Sequence, residues 1–245
     1  MAKLSVVGTP IGNLEDITLR ALKTLSEADL VLCEDTRMTK KLLDRHGINA
    51  PVKSYHVHSK ISRTEEVIAL LKEGKNIALV SDAGTPGISD PGAELVARVR
   101  EAFNMNIGQN HGSDENSRHF AETVDLKIEA IPGPSALTAA LSIAGVPCAD
   151  FTFLGFLPHK KGRETLFKEI AASERTMVFY ESPHRIMKTL ESLQMHLNES
   201  KRVTICRELT KIFEEVVSGT AQEVKAYFET NKDKERGEFV VIVSE

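Results

Sequence analysis

The chain of 245 residues contains no tryptophan, 5% aromatic residues and only three cysteines. The cysteines, at positions 33, 148 and 206, are far apart, and none has a neighbouring Cys or His at metal-ligand spacing. This spacing indicates neither a disulfide framework nor a metal site. Each cysteine lies in or beside an apolar segment, which predicts three buried thiols in a reducing compartment.

Long apolar runs are also missing, because no stretch approaches the roughly 20 residues that a membrane-spanning helix needs. The amino terminus leads into a predicted strand rather than a signal peptide. We therefore expect a cytoplasmic protein without membrane contact. A net charge of −4 argues against nonspecific coating of nucleic acid, since such binding depends on many lysine and arginine contacts to phosphates.

The most distinctive segment is residues 82–92, Asp-Ala-Gly-Thr-Pro-Gly-Ile-Ser-Asp-Pro-Gly, which we call the glycine loop. It follows the apolar run 77–80, and its glycines allow backbone conformations and close ligand approach that other residues resist. Asp90 and Pro91 are typical of a helix N-cap and first helical residue, so a helix toward Phe103 is predicted. In an open α/β sheet such a loop lies where ligands bind.

Two phosphate-binding signatures are absent from the chain. No Gly-Lys-Ser/Thr triplet exists to form a P-loop, and the glycine loop lacks the spacing Gly-x-Gly-x-x-Gly of dinucleotide-binding folds. A nucleoside without phosphates therefore suits this loop better than ATP or NAD. The alternative is a tight turn that binds no ligand, since turn chemistry alone also explains glycine and proline.

Predicted strands and helices alternate through the first half, which favours a largely parallel sheet with helices on its faces. Ser62 to Glu65 has capping-box spacing at the start of one of these helices. The polar stretch 104–125 breaks the pattern and predicts a surface insertion, in which His111 and His119 have no supporting metal ligands. The second half predicts a mixed sheet, with a helix opened by Pro183. We expect two α/β domains, at 1–131 and 132–245.

Two clusters of basic residues stand out. One lies on a predicted helix and contains Arg37, Lys40, Lys41 and Arg45, and the other is the basic loop, His159 to Arg163. Either cluster could also be an ordinary solvated surface.

Six motifs in order along the chain resemble the branch of the tetrapyrrole methylase superfamily that modifies ribosomal RNA. They are Val-Gly-Thr-Pro-Ile-Gly-Asn-Leu (7–14), Cys-Glu-Asp-Thr-Arg (33–37), Ser-Asp-Ala-Gly-Thr-Pro-Gly-Ile-Ser-Asp-Pro (81–91), Ile-Pro-Gly-Pro-Ser-Ala (131–136), Phe-Tyr-Glu-Ser-Pro-His-Arg (179–185) and Arg-Glu-Leu-Thr-Lys (207–211). The resemblance covers nearly the whole chain. It departs from the family in the long 104–125 segment, and the chain lacks the carboxyl-terminal extension of some relatives.

The resemblance implies methyl transfer from S-adenosylmethionine to the ribose 2′-hydroxyl of a cytidine in 16S rRNA, at position 1402 of the small ribosomal subunit. It also implies two α/β domains with the cofactor in the cleft between them, and a homodimer. A methylase of the same superfamily that acts on a tetrapyrrole or a protein, and a noncatalytic RNA-binding protein, are the alternatives. No metal is expected.

The same resemblance assigns cofactor contacts to residues in several motifs. On the first loop and the glycine loop these are Pro10, Asp82, Gly84, Thr85 and Ile88. Further along the chain they are Ser135, Ala136, Tyr180, Glu181, Leu209, Gly237 and Glu238. Tyr180 has an alternative interpretation as a core aromatic residue at the end of a strand.

A ribose hydroxyl is a weak nucleophile, so a general base within hydrogen-bond reach would assist its attack. We hypothesise that Asp35 accepts the proton while Arg37 holds a phosphate of the substrate strand. Asp35 could equally cap a helix or pair with an arginine. RNA contacts are expected from Arg37, Lys40 and Lys41 on the helix and from Lys160, Lys161 and Arg163 in the basic loop.

Overall fold

The computed structural model describes residues 1–55, 61–90, 92–105 and 125–245. The chain divides into two compact units. Unit 1 comprises Met1–Pro10 and Leu14–Pro134, and unit 2 comprises Ile11–Asn13 and Ser135–Glu245. The short segment 11–13 thus belongs with the second half of the chain. The division into domains 1–131 and 132–245 stays a prediction, and most of the predicted insertion at 104–125 lies outside the described residues.

Unit 1 is built on a five-stranded sheet in which every strand pairing is parallel. Its strands are β1 (Ala2–Val7), β2 (Leu30–Cys33), β3 (Val52–Ser54), β4 (Asn76–Val80) and β5 (Leu126–Ile131), in the spatial order β3-β2-β4-β1-β5. Strands β4 and β1 are neighbours, yet the chain continues from β1 to β2 on one side and from β4 to β5 on the other. Such a reversal marks where an open sheet binds its ligand.

Four described helices accompany this sheet: α1 (Leu19–Ser26), α2 (Thr36–Arg45), α3 (Ile61–Lys72) and α4 (Gly92–Ala102). Asp35 caps α2, since its Oδ1 accepts the backbone N–H of Arg37 at 2.9 Å. Gly47 and Gly74 follow α2 and α3 with φ of 66° and 85°, as their predicted closing role requires. The capping box predicted at Ser62 is wrong, because Ser62 already lies inside α3.

Unit 2 has a mixed five-stranded sheet in the order β6-β7-β10-β8-β9, with only the β6–β7 pairing parallel among the described strands. Its elements are α5 (Ala136–Ile143), β6 (Phe151–Phe156), α6 (Arg163–Ala172), β7 (Thr176–Glu181), α7 (Ile186–His196), β8 (Arg202–Arg207), β9 (Glu215–Gly219), α8 (Ala221–Thr230) and β10 (Phe239–Ser244). The predicted α/β class is therefore confirmed.

Two details of unit 2 differ from the sequence prediction. Helix α8, which opens with a capping box between Thr220 and Glu223, was not anticipated. Pro183 was expected to open a helix but lies in the turn before α7, which begins at Ile186. The backbone N–H of Arg185 bonds instead to the carbonyl of Ser182 at 3.0 Å, so a turn precedes the first helical residue.

Each unit has its own apolar core. In unit 1 the cores include Leu4, Leu32 and Leu95, and in unit 2 they include Phe167, Phe179 and Phe228. Cys33 and Cys206 are buried as predicted, whereas Cys148 is exposed. The expectation for Cys148 was wrong because its apolar neighbours belong to the connection between α5 and β6, not to a core element. None of the described helices is long and apolar enough to cross a membrane.

Candidate functional site

The loops that follow β1, β4 and β5 meet at one edge of the unit 1 sheet. Thr9 and Gly84 exchange two backbone hydrogen bonds, of 2.9 and 3.1 Å, which join the first loop to the glycine loop. The hydroxyl of Thr85 donates to the carbonyl of Pro134 at 3.1 Å, which joins the glycine loop to the segment after β5. Three of the motifs found in the sequence are thereby brought together at the reversal between β4 and β1.

Close backbone packing makes this meeting possible. A Cβ added to Gly8 would lie 2.8 Å from the Cα of Gly133, and one added to Gly133 would lie 2.7 Å from the carbonyl oxygen of Gly8. Only glycine fits at either position, because the nearest atoms belong to the backbone and no rotamer change can make room. The two glycines were present in the quoted motifs, but their mutual contact was not foreseen.

The glycine loop itself is held in a shape that glycine favours. Gly84 and Gly87 have φ of 84° and 87°. Asp90 closes the loop, since its Oδ1 accepts the backbone N–H groups of Gly87 at 2.6 Å and of Gly92 at 2.9 Å. The capping role predicted for Asp90 is confirmed, while Pro91 lies outside the described residues. Ile88 remains 42% exposed, which leaves an apolar side chain on the loop surface.

Three carboxylates lie in or near the glycine loop, at Glu34, Asp82 and Asp90. Asp82 accepts the backbone N–H of Asp35 at 2.9 Å through Oδ1, which ties the glycine loop to the start of α2. The pKa of Glu34 is raised, first by burial and then by the negative charges of Asp82 and Asp90. Negative potential of this kind favours a cationic ligand and opposes phosphates. Sequence reasoning did not single out Glu34, whose environment depends on strands distant in the sequence.

Asp35 and Arg37, the predicted catalytic pair, contact each other. The guanidinium of Arg37 donates to both carboxylate oxygens of Asp35, with Nη2 2.6 Å from Oδ2. Hydrogen bonds from the Arg37 side chain and backbone lower the pKa of Asp35 to about 2. Asp35 is thus both a helix cap and an arginine-paired carboxylate, which was the alternative interpretation; the two roles leave its catalytic assignment a hypothesis. The side chain of Arg37 is 88% exposed.

In unit 2, Tyr180 connects two of the predicted cofactor segments. Its hydroxyl oxygen accepts the backbone N–H of Leu137 at 3.2 Å, and the start of α5, at Ser135 and Ala136, lies beside it. Ser135 is the N-cap of α5 but makes no side-chain capping bond. Burial raises the pKa of Tyr180, and its ring packs edge-on to Phe153 with centroids 4.9 Å apart. Tyr180 therefore supplies the cap that Ser135 does not.

A second cluster in unit 2 joins Leu209, Gly237 and Glu238. The backbone N–H of Glu208 bonds to the carbonyl of Glu238 at 3.0 Å, and the N–H of Glu238 bonds to Oε1 of Glu208 at 2.9 Å. Lys211 lies 2.9 Å from both of these carboxylates. Gly237, with φ of 105°, leaves no room for a Cβ beside the Glu208 side chain.

Two of the four described non-glycine residues with positive φ lie in the same cluster. Glu208 and Thr210 have φ of 50° and 66°, values that side chains rarely adopt and that are least favourable for a β-branched residue. The hydroxyl of Thr210 accepts the backbone N–H of Asn13 at 3.1 Å, and a Cβ on Gly12 would meet Lys211 Cγ at 2.5 Å. Segment 11–13 is thus fixed against a strained turn. The residue types in the sequence gave no signal for this strain.

Glu181, another predicted cofactor contact, has its side chain fully buried and surrounded by protein groups. It contacts the arginines at positions 163 and 185. In the basic loop, Lys160 and Lys161 are exposed, whereas the side chain of Arg163 is only 15% exposed. The geometry therefore disfavours the predicted RNA contact of Arg163. On α2, Lys40 and Lys41 are exposed, as a contact surface requires.

Among the described residues, no group of three or more His, Cys, Asp or Glu side chains is arranged to hold a metal ion. In unit 1 the candidate residues are instead backbone groups, glycines, carboxylates and one exposed apolar side chain. In unit 2 the Tyr180 and Leu209 clusters form a separate set of candidate residues. The unit 1 set comes from loops that follow strands, where binding residues are commonly placed, whereas Tyr180 lies within β7 and Gly237 precedes β10.

The family model for Tetrapyrrole (Corrin/Porphyrin) Methylases matches residues 3–107 and 114–225 of this chain. The chain belongs to the tetrapyrrole methylase family. It shares 43% identity over 244 residues with a Thermotoga maritima protein named Ribosomal RNA small subunit methyltransferase I, covering 100% of this chain and 99% of that protein. The identity is also 43% to an Escherichia coli O157:H7 protein of the same name, covering 98% of this chain and 77% of that protein.

Solved structures agree on the fold. The methyltransferase CobJ superposes with a TM-score of 0.65 at 18% identity, covering 100% of this chain and 94% of that chain. The uroporphyrin-III-C-methyltransferase from Thermus thermophilus gives 0.62 at 18% identity, covering 98% and 93%. These values establish a shared fold. A shared fold does not identify the acceptor of the methyl group.

Proposed function

We propose that this protein transfers a methyl group from S-adenosylmethionine to ribosomal RNA of the small subunit, and that the acceptor is the 2′-hydroxyl of a cytidine ribose. The observation that carries the proposal is the full-length similarity to the Thermotoga maritima relative, with 43% identity over 100% of this chain. The finer statement about the cytidine ribose rests on the resemblance of the six motifs.

The residues of unit 1 fit the chemical character of this cofactor. S-adenosylmethionine is a phosphate-free nucleoside with a positively charged sulfonium, and it supplies an electrophilic methyl group. The glycine loop offers backbone groups around Gly84 and an exposed apolar side chain at Ile88. The carboxylates of Glu34, Asp82 and Asp90 favour a cation. Pro10 and Thr85 would complete the contacts in unit 1.

In unit 2 the proposed cofactor contacts are Ser135, Ala136, Tyr180, Leu209, Gly237 and Glu238. The resemblance also assigns Glu181 to this set, but its carboxylate is enclosed by protein groups. The support for these contacts is local. The Tyr180 hydroxyl fixes the start of α5, and the Glu208 turn fixes the backbone next to Gly237. Fixed backbone groups of this kind can bind a nucleoside without reorganising.

Asp35 and Arg37 are proposed to act on the acceptor strand. A carboxylate with a pKa of about 2 is a poor base toward an intact hydroxyl. The same carboxylate can accept the proton once the hydroxyl oxygen has begun to bond the methyl group, because that oxygen then becomes strongly acidic. Asp35 would thus take the proton late, while the exposed guanidinium of Arg37 contacts a phosphate.

Lys40, Lys41, Lys160 and Lys161 are proposed to contact RNA phosphates, since all four side chains are exposed. Among the described residues, none of these lysines has a carboxylate partner within ion-pair distance. Such contacts position a strand without reading its sequence. We further propose that the protein works as a homodimer in the cytoplasm, which light scattering of the purified protein and fractionation of cells would test.

The decisive experiment incubates the protein with tritiated S-adenosylmethionine and small ribosomal subunits that lack the modification, and then maps any methyl mark. One 2′-O-methylated cytidine is the expected result. Incorporation into a base or into ribosomal protein would refute the assigned acceptor. No incorporation into subunits or free RNA, despite measured cofactor binding, would remove ribosomal RNA as the substrate.

A charge-matched pair of variants tests the RNA surface. Replacing Lys160 and Lys161 with Ala should lower the slope of log affinity against log salt by about 1.4, at roughly 0.7 per phosphate contact on single-stranded RNA. Replacing Lys72 and Lys232 with Ala removes the same charge from other exposed positions and should leave the slope unchanged. Equal slopes in both double variants would contradict the proposed role of the basic loop.

A further inference from the structure

The basic loop is anchored by a buried group at the end of a neighbouring strand. Lys160 and Lys161 are exposed in the connection between β6 and α6, and the carbonyl of Lys160 accepts the backbone N–H of Arg163 at 3.2 Å. At either side of the two lysines the chain turns inward, at Leu157, which is 2% exposed, and at Arg163. Two exposed charges are therefore presented between two fixed ends.

The buried carboxylate of Glu181 contacts the side chains that hold the ends of the basic loop. Its Oε1 accepts the backbone N–H of Ser182 at 2.8 Å and lies 2.8 Å from Nε of Arg185, although that N–H is not aligned for a hydrogen bond. Its Oε2 accepts the hydroxyl of Thr189 at 2.6 Å and lies 3.6 Å from Nη2 of Arg163. The buried carboxylate thus has two cations and two hydrogen-bond donors as partners.

Arg163 and Arg185, which contact Glu181, also hydrogen-bond the backbone just before the basic loop. Nη1 of Arg185 donates to the carbonyl of Leu157 at 2.8 Å, and Nη1 of Arg163 donates to the carbonyl of Pro158 at 3.2 Å. Nη2 of Arg163 also donates to the hydroxyl of Thr189 at 2.7 Å. A guanidinium has a planar fork of donors, so holding one edge of each arginine fixes where its other edge points. The two consecutive carbonyls immediately before the basic loop are held in this way.

We propose that Glu181 is a positioning residue for RNA binding, acting through Arg163, Arg185 and Thr189 to hold the basic loop, and that its carboxylate does not contact the cofactor. The inference rests on the proposed RNA substrate. Burying a carboxylate between two arginines is costly and adds little net stability compared with apolar residues of the same size. What the arrangement provides is a loop ordered before RNA binds, so that ordering it costs no affinity.

The test compares Glu181→Gln with Arg175→Lys, a control that alters an ion pair to Asp150 on the exposed surface of the same unit. We expect Glu181→Gln to raise the KM for small subunits about tenfold. The salt slope should fall toward that of the Lys160→Ala, Lys161→Ala double variant. Affinity for S-adenosylmethionine should stay within about twofold of the parent. The control should change none of these values.

A structural role alone would give a different pattern. If cofactor affinity and thermal stability fell together while the salt slope stayed at the parent value, the positioning role would be overturned. A double-mutant cycle sharpens the distinction, because a residue that acts through the two lysines loses its effect on RNA affinity once they are removed. Additive losses of RNA affinity in the combined variant would also overturn the proposal.

Two further measurements keep the test decisive. If Glu181→Gln does not fold, Arg163→Lys takes its place, since it keeps the charge but removes the fork that joins Pro158 to Thr189. Amide hydrogen exchange in residues 159–163 should accelerate in either variant and not in Arg175→Lys; unchanged exchange would refute the proposed restraint on the basic loop. A parent protein that methylates no ribosomal RNA refutes the proposed function instead, and the exchange result stands independently of that failure.

Discussion

The contact between Gly8 and Gly133 makes Gly133→Ala an informative perturbation. The new Cβ would lie 2.7 Å from the carbonyl oxygen and 2.8 Å from the carbonyl carbon of Gly8. Atoms at these distances overlap, and both belong to a backbone that is fixed by the hydrogen bond from the N–H of Gly8 to the carbonyl of Ile131, at 3.0 Å. The ends of β1 and β5 must therefore move apart.

Overpacking of this kind costs about 1 to 3 kcal/mol, so we take about 2 kcal/mol for the loss of unfolding free energy. A chain of this size loses about 2 to 4 °C in Tm for each kcal/mol, which gives a drop of about 4 to 8 °C. The displaced segment also carries Pro134, the acceptor for Thr85 of the glycine loop. Cofactor affinity should therefore fall about tenfold or more, because small misplacements of a binding group are costly.

Gly47→Ala is the matched control. Gly47 has φ of 66° and no atom within 4 Å of an added Cβ, so the substitution strains the backbone without a clash. The left-handed conformation costs about 1 to 2 kcal/mol, and cofactor affinity should not change. Calorimetry measures Tm and titration calorimetry measures affinity. If Gly133→Ala lowered Tm by less than about 1 °C and bound S-adenosylmethionine normally, the inferred backbone contact would be wrong.

Three further predictions follow from individual side chains. A thiol reagent should modify Cys148 in the native protein and the other two cysteines only after unfolding, which mass spectrometry can count. The pKa of His196 is raised by the carbonyl of Ser192 and by Glu164, so its stabilising effect is full below about pH 6.5 and is lost as pH rises through the folded pKa. His196→Gln should consequently cost more Tm at pH 5.5 than at pH 8. The single-turnover methylation rate should be flat above about pH 4 if Asp35 is the base, whereas a rise with an inflection at higher pH would show that another group accepts the proton.

Local sequence signals predicted most of the strands and helices. Residues 77–80 of strand β4 are an uninterrupted apolar run, and the Asp90 carboxylate accepts the backbone N–H of Gly92 at the start of α4. Both features can be recognised from a few neighbouring residues. The same reasoning failed at Ser62, where the capping-box spacing occurs inside α3 rather than at its start. A capping pattern specifies hydrogen-bonding capacity and does not decide which residue leaves the helix.

Contacts across the sequence could not be predicted in the same way. The strained φ of Thr210 is fixed by a turn that contacts segment 11–13, nearly 200 residues away in the chain. Likewise, the sequence alone presents Gly8 and Gly133 as ordinary turn glycines. Their backbone contact is evident only from the structure, in which β1 pairs with β5. The relevant energy depends on the tertiary neighbour, so a single sequence shows that glycine is present but not what it makes room for.

Three acidic side chains show how far tertiary context changes chemistry that the sequence presents alike. Asp35 bonds the guanidinium of Arg37, and its pKa falls to about 2. Glu34, one residue earlier, is partly buried near other carboxylates, and its pKa is raised. Glu181 is fully buried, with the carboxylate held by two arginines. Replacing each carboxylate with its amide should therefore have a different main effect. At Asp35 it would remove the pairing with Arg37 and the proposed late proton acceptor, and at Glu34 it would remove negative potential beside the glycine loop. At Glu181 it would release the basic loop, if the proposed positioning role is correct.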